Sequence, residues 1–414
     1  MNEKKLNTIL INSKVKNIIK AHDTPFFIFF PNIMKKKIDD LKASLKKNYS
    51  NSQITYSVKT NYLPFVVKKA YSFGAYPECI SGFEILIVKK LNLLNKDVVI
   101  NGPLKSEEDL IKLSKLGCRI NIDNFTELEI VQKVAMKLNL ILEIGIRIYT
   151  KLGKKTWSRF GFNLDNQEAT KVAKIVKKKM PNLKIVGLHM HIGTNILDTK
   201  IYKNASSAVS KFAYFLGKND LIDLKYLDLG GGFATNLPFK DYKKKIWNVP
   251  TTNQYIKAIS NPIKKIFKNK LPKLILEPGR FLVDESFFLV TKVKRLRGKT
   301  LDSVILDAGV NILPSGKYRK HNFFKINNKN KKIKKYNLYG PLCMQSDCFR
   351  NNIKLNELNK DDVLYTSYAG AYSFSQSWNF IQFSPPVLAF EKKKFILIKR
   401  KQNLKDLLSR DINE

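Results

Sequence analysis

The chain has 414 residues, 44% of them hydrophobic, which is enough to fill the core of one large α/β domain and a smaller one. Its formal net charge is +41, a value that ordinarily means nucleic acid, membrane surface or acidic ligands. The lysines, however, stand in short runs such as MKKKI, VKKKM, YKKKI, NKNKKIKKY and EKKKF spread over the whole chain, a residue-usage bias more than a patch, which argues against a nucleic-acid partner.

In chain order, the opening MNEKKLNTILINSKVKNIIK has no long apolar run before a small-residue cleavage site, and no later segment reaches about 18 uninterrupted apolar residues. No membrane span is expected. Cys79, Cys118, Cys343 and Cys348 form no CxxC pair and only four histidines are present, so neither a metal site nor a disulfide framework is expected, and a reducing, cytoplasmic location is.

Eight strand-like runs follow: ITYSVK (54–59), AYPECIS (75–81), VVINGP (98–103), CRINIDN (118–124), ILEIGIRI (141–148), IVGLHMHIG (185–193), YLDLGGG (226–232) and LILEPGR (274–280). Stretches between them, such as SGFEILIVKKLNLL and NFTELEIVQKVAMKLNL, repeat apolar residues at spacings of three and four, as amphipathic helices do. Eight strand-helix units over about 250 residues predict a (β/α)8 TIM barrel, assigned to residues 26–281. Lys59, Ser81, Asn101, Asp123, Arg147, His191, Gly230 to Gly232 and Glu277 all fall at the carboxyl ends of these runs, which is the catalytic face of such a barrel. From 282 to 414 the texture changes to FFLVTKVKRLRG, SVILDAG, NLYGPLC and DDVLYTS, strands joined by turns. This predicts a C-terminal all-β domain that also takes in part of residues 1–25, with the basic segment 316–335 as an exposed loop.

Four stretches carry chemistry. Lys59 ends the strand of YSVKTNYLP, where partial desolvation lets a neutral amine condense with an aldehyde; a lysine snorkelling from the barrel rim reads the same way. LDLGGGF (227–233) places three glycines after a strand, either an anion nest or a tight strand-to-helix turn. In GLHMHIGTN (187–195) two histidines alternate on one strand, with His191 suited to cover an aromatic ring and His189 to sit in the core. In LEPGRFL (276–282) the carboxylate and guanidinium either pair with each other or divide their labour, Glu277 to a protonated ring nitrogen and Arg280 to an anion.

Together and in this order, YSVKTNYLP, SGFE, GLHMHIGTN, LDLGGGF, EPGR, LDAGVN, YGPLCMQSD and YAGAYSFS resemble the fold-type III pyridoxal-phosphate decarboxylases, and most of all the diaminopimelate decarboxylase branch. The resemblance covers almost the whole chain. It implies an alanine-racemase-like barrel with a C-terminal β domain, pyridoxal 5'-phosphate as cofactor, and a carboxy-lyase acting on a small-molecule amino acid, with meso-diaminopimelate to L-lysine as the leading reaction. Residue by residue, it implies that Lys59 carries the cofactor covalently and His191 stacks on its ring. Gly230, Gly231 and Gly232 would bind the phosphate with Tyr372, Glu277 would pair with the pyridine nitrogen, and Thr194, Gly279 and Arg280 would complete the cofactor site. Cys343 is the implied proton donor to the carbanion, and Arg280, Arg159, Tyr318, Met344 and Tyr372 the implied substrate contacts. Because this cysteine enters from the other subunit in that family, a homodimer with shared active sites is expected. An alanine racemase would instead set an arginine against the pyridine nitrogen, where Glu277 stands here.

Thr194 stands where serine is usual in the branch, a mild change that keeps the hydroxyl, and two further positions depart from it. Leu313 in DAGVNILPSGKY stands where an arginine for the distal carboxylate is usual, and Met344 in LCMQSD replaces a glutamate that recognises the distal amino group. Arg159 or Lys317 could substitute. The alternative is a diverged decarboxylase acting on another amino acid, or on an aminoacyl group held by an acidic carrier protein; a nucleic-acid-binding protein is the reading from a different class, on charge alone.

Overall fold

The computed structural model describes residues 18–19, 21–152, 159–242, 246–297, 303–326 and 332–412. The chain divides into two compact units, one formed by 35–235 with 248–282 and the other by 1–34, 236–247 and 283–414.

The first described strand, β1 (Phe26–Phe29), belongs to the second unit, and the next nine make the first: β2 (Ser52–Ser57), β3 (Tyr76–Cys79), β4 (Val99–Ile100), β5 (Arg119–Ile122), β6 (Leu142–Tyr149), β7 (Phe162–Asn163), β8 (Leu183–His189), β9 (Tyr226–Asp228) and β10 (Lys273–Leu276). They pair in the order β5-β4-β3-β2-β10-β9-β8-β6-β7, and a β5–β6 pairing closes the ring, so that eight parallel strands form a barrel with the two-residue β7 attached outside β6. All eight predicted strands are present. Helices between them start where the sequence can satisfy the free N–H groups of a first turn. Ser106 accepts from Asp109 N–H and Asn124 from Glu127 N–H, and Thr251 with Gln254 forms a reciprocal capping box.

The barrel interior is plugged by Tyr226, packed with Val99, Val186 and Ile275. A Cβ at Gly187 would lie 2.1 Å from its ring, and one at Gly145 2.3 Å from its hydroxyl, so two strands carry glycine where this tyrosine crosses the axis. The hydroxyl donates to Asn121 Oδ1 at 2.8 Å, which satisfies a polar atom that burial would otherwise strand.

The second unit is a mixed sheet. Its strands are β1, β11 (Phe287–Arg297), β12 (Ser303–Leu306), β13 (Phe323–Lys325), β14 (Ile333–Tyr339), β15 (Cys348–Asn356), β16 (Val363–Thr366), β17 (Val387–Glu391) and β18 (Lys394–Lys399). β1 lies between β11, antiparallel, and β17, parallel, so both its edges are paired, and its four residues FFIF are all buried. An unbroken apolar run is what a central strand needs. Phe26, Ile28 and Phe30 pack with Phe288, Val290, Tyr365 and Leu388.

Two boundaries differ from those expected. Residues 26–34 and 236–247 belong to the sheet unit, not to the barrel. The reason is pairing: β1 completes that sheet, and Phe239 bridges to Arg319 while Arg319 Nη2 donates to Leu237 O at 3.0 Å. Nor is 316–335 an exposed loop. Gly316, Arg319, His321 and Phe323 are buried, Arg319 being neutralised by Asp284 at 2.5 Å; residues 327–331 lie outside the described residues.

Candidate active site

β2 ends at Ser57, and a single 3-10 turn, Val58–Thr60, carries Lys59 off the strand end. Lys59 Nζ is 3.9 Å from Glu78 Oε2; the amine side chain is 33% exposed and the glutamate 1%. Glu78 is the register partner of Ser57 on the neighbouring strand, and the Ser57 hydroxyl donates to its Oε2 at 2.5 Å. Asn101, just past β4, donates through Nδ2 to Glu78 Oε1 at 3.0 Å and to Glu277 Oε1 at 2.6 Å, and accepts from Asn121 Nδ2 at 2.9 Å. A continuous buried chain of hydrogen bonds therefore runs from the Lys59 turn across the barrel mouth to Glu277, and such networks hold their members in one geometry.

Glu277 follows β10, the neighbour of both β2 and β9. His189 Nε2 stands 3.5 Å from Glu277 Oε2, and polar atoms of His189, Asp228 and Glu277 all lie within 4.8 Å of one another. Burial would raise the Glu277 carboxyl, but the neighbouring His189 holds it below the usual carboxylate range. Burial, then Glu277, push the Asp228 carboxyl well above it. His191 is held down to about 3, first by burial and then by the Lys59 charge, so its ring is neutral. Its Nδ1 accepts the Gly231 N–H at 3.3 Å, which places the ring proton on Nε2.

The two histidines were expected to point the same way from one strand. β8 ends at His189, and the chain turns before His191, so His189 faces Glu277 while His191 faces the glycine loop. That loop is glycine for reasons of space. A Cβ would fall 2.7 Å from His191 Nδ1 at Gly230, 2.3 Å from Glu277 O at Gly231 and 2.5 Å from Gly193 O at Gly232, and Gly230 and Gly232 have φ of +62° and +95°. The Gly230 N–H already donates to Asp228 Oδ1 at 2.9 Å, so the loop is a turn with two of its amides engaged inside the protein. Gly279 fits against the Lys59 turn, where a Cβ would lie 2.0 Å from Thr60 Oγ1, and Arg280, which follows it, is buried.

Thr194 and Arg159 are exposed, Arg159 with its guanidinium 5.3 Å from the Phe160 ring; Arg147 lies 4.8 Å from that ring and 3.5 Å from Asp123. The remaining candidates lie in the sheet unit. Cys343 is exposed and Met344 half-buried in a turn whose backbone is clamped by Asp347, the carboxylate accepting from Leu342 N–H and Val310 N–H, each at 2.8 Å. Tyr372 is half-buried with φ of +63°, a conformation held only where surroundings enforce it. Tyr318 is half-buried, its ring 6.1 Å from that of Phe239, and Leu313 is fully buried. Sequence reasoning missed Glu78, Asn101 as a bridging donor, and Asp228; the signal available was a carboxylate next to last in β3 and last in β9.

A half-exposed amine, a neutral imidazole, a side-chain-free turn and a buried carboxylate kept ionised are the groups that a pyridoxal phosphate's aldehyde, ring face, phosphate and pyridinium nitrogen require, so these residues fit that cofactor.

Comparison with known proteins agrees. Residues 35–284 match the family "Pyridoxal-dependent decarboxylase, pyridoxal binding domain". The diaminopimelate decarboxylase of Aquifex aeolicus is 29% identical over 374 residues, 88% of this chain and 85% of that protein. That of Methanocaldococcus jannaschii is 29% identical over 375 residues, 87% of this chain and 83% of its own. A crystal structure of diaminopimelate decarboxylase from M. jannaschii superposes with a TM-score of 0.88 at 25% identity, covering 96% of this chain and 94% of that one. Among the described residues no helix is long and apolar enough to cross a membrane. With a barrel built for a pyridoxal cofactor and a matching family over most of that barrel, the chain is a carboxy-lyase dependent on pyridoxal 5'-phosphate and belongs to the pyridoxal-dependent decarboxylases.

Proposed function

We propose that the enzyme removes one carboxylate from meso-diaminopimelate to give L-lysine. The observation that carries this reading is that relatives named diaminopimelate decarboxylase align along nearly the whole chain, including a structure of the M. jannaschii enzyme in complex with L-lysine.

When bound, the cofactor supplies an electron sink for the pair left on the substrate carbon when carbon dioxide departs. Lys59 is the residue that holds it covalently, with Glu78 opposite the amine to position it. The neutral His191 ring covers the cofactor face, where a charged ring would repel a pyridinium. Glu277, kept ionised, holds the proton on the pyridine nitrogen. Gly230 to Gly232 form a cradle without side chains, and Gly279, Arg280, Thr194 and Tyr372 complete the phosphate and ring contacts. The proton that replaces the carboxylate comes from the partner's Cys343, so the working unit is a homodimer. An exposed thiol on a turn fixed by Asp347 supports that role.

Leu313 and Met344 favour a second reading, a decarboxylase of the same group with a different amino acid. A fully buried Leu313 offers nothing to a distal carboxylate, and Met344 offers no charge to a distal amine. For diaminopimelate to be the substrate, Arg280, Arg159, Tyr318 or Lys317 must take those contacts.

Carbon dioxide release from meso-diaminopimelate, lysine, ornithine, arginine and glutamate separates the two readings. Release from meso-diaminopimelate alone is the expected result, and silence on it with the cofactor's visible absorbance intact selects the second. Lys59→Ala abolishes that absorbance if Lys59 carries the cofactor. Mixing inactive Lys59→Ala and Cys343→Ala proteins restores activity only if sites are shared between subunits.

A further inference from the structure

Asp228 ends β9 fully buried, and its two oxygens are treated differently. Oδ1 accepts the Gly230 N–H at 2.9 Å, whereas among the described residues no donor reaches Oδ2. Glu277 is better provided: Oε1 accepts from Asn101 at 2.6 Å and Oε2 faces His189. Two carboxyls so close and out of water cannot both ionise, so one proton belongs to the pair. Placed on Asp228 Oδ2, that proton turns an orphaned acceptor into a donor toward Glu277. Placed on Glu277, it would leave the negative charge on Asp228, which accepts only from the Gly230 N–H, and take it from Glu277, which accepts from Asn101 and faces His189.

The surrounding charges argue the same way. Burial, then Glu277 and Glu78, press Asp228 toward its neutral form, while His189 favours ionisation of Glu277. Arg147 attracts both carboxyls and so does not choose between them, and Tyr226, whose hydroxyl is given to Asn121, stays neutral.

We propose that Asp228 is a positioning residue that keeps its proton at neutral pH and donates it to Glu277 in a hydrogen bond, so that Glu277 stays ionised and aimed at the cofactor's pyridine nitrogen. This rests on the assignment of Glu277 to that nitrogen. The carboxyl of Asp228 touches neither substrate nor cofactor in this role.

The test uses infrared spectra of the full-length apoprotein at neutral pH and the visible spectrum and cofactor loss of the loaded enzyme. The expected infrared result is a protonated-carboxyl band, sensitive to deuterium, that disappears in Asp228→Asn and moves but persists in Glu277→Gln. Asp228→Asn keeps both an acceptor for Gly230 and a donor for Glu277, so it retains the wild-type pH dependence of the cofactor absorbance. Asp228→Leu loses the donor and releases cofactor at least tenfold faster. An Asp228→Asn spectrum that keeps every protonated-carboxyl band of the wild type, or an Asp228→Asn enzyme that sheds cofactor as Asp228→Leu does, overturns the proposal. If Asp228→Leu does not fold, Asp228→Asn against wild type still decides it. Failure of the underlying assignment looks different: Glu277→Gln then keeps an unaltered cofactor spectrum, while the infrared band continues to report which carboxyl holds the proton.

Discussion

Lys59 Nζ stands 3.9 Å from Oε2 of Glu78, and the glutamate is buried among donors from Ser57 and Asn101. The amine at the barrel mouth thus faces a carboxylate whose position is fixed from behind. Replacing Glu78 by alanine strands two buried donors, and each such group costs about 1–3 kcal/mol. Urea unfolding of the apoprotein should show Glu78→Ala destabilised by about that amount, and Glu78→Gln by less. Both should lower carbon dioxide release at least tenfold, because both remove the charge opposite Lys59.

Gly279 is required by the Lys59 turn. A methyl group there would sit 2.0 Å from Thr60 Oγ1 and 3.0 Å from Ser57 Cβ. Overpacking of this kind costs about 1–3 kcal/mol. Gly279→Ala should lower both stability and cofactor retention, and adding Thr60→Ala, which removes the nearest atom, should recover part of each. Thermal unfolding of the single and double variants reads this directly.

Glu84 gives stability a pH dependence near neutrality. It is buried with its Oε2 accepting the Ile80 N–H at 2.8 Å, and burial, then the charge of Glu78, raise its carboxyl to about 7. An acid raised on folding binds its proton more tightly in the native state, so this contribution is fully present below the ordinary carboxyl value and is lost as pH rises toward 7. The slope is at most about 1.4 kcal/mol per pH unit across that window. Denaturation midpoints measured between pH 5 and 8 should fall more steeply for the wild type than for Glu84→Gln.

Arg319 and Asp284 form an ion pair at 2.5 Å in which neither side chain is exposed. Removing one partner from a buried pair leaves the other uncompensated, at a cost of about 3–5 kcal/mol. Asp284→Asn should therefore destabilise the protein by several kcal/mol, far more than loss of an exposed pair such as Lys35 with Asp39, whose side chains are about half exposed. A chemical denaturation series on both variants checks the contrast.

How far the site could be read in advance depended on where each residue sits relative to a strand end. Lys59, the glycines of 230–232 and Glu277 lie beyond the strands, where a polar or glycine residue interrupts an apolar run and stands out. Glu78 and Asp228 lie inside strands that read as buried, and a carboxylate inside an apolar run carries no hint of which partner satisfies it. His189 was assigned to the core and is buried, but its contact with Glu277 comes from two strands, β8 and β10, separated by β9.

The barrel was written in the chain by itself: eight short apolar runs alternating with amphipathic helices permit little else, because the repeat buries each strand only when the sheet closes. The motifs for a covalently held cofactor were equally local. What the tertiary structure decided was membership and protonation. Phe26–Phe29 and residues 236–247 join the sheet unit because their hydrogen-bond partners lie there, and hydrogen-bond partners distant in sequence leave no local trace. Whether a carboxyl such as Asp228 or Glu277 carries a charge is settled by the distance between them and by the loss of water around both, quantities that exist only once the barrel has closed.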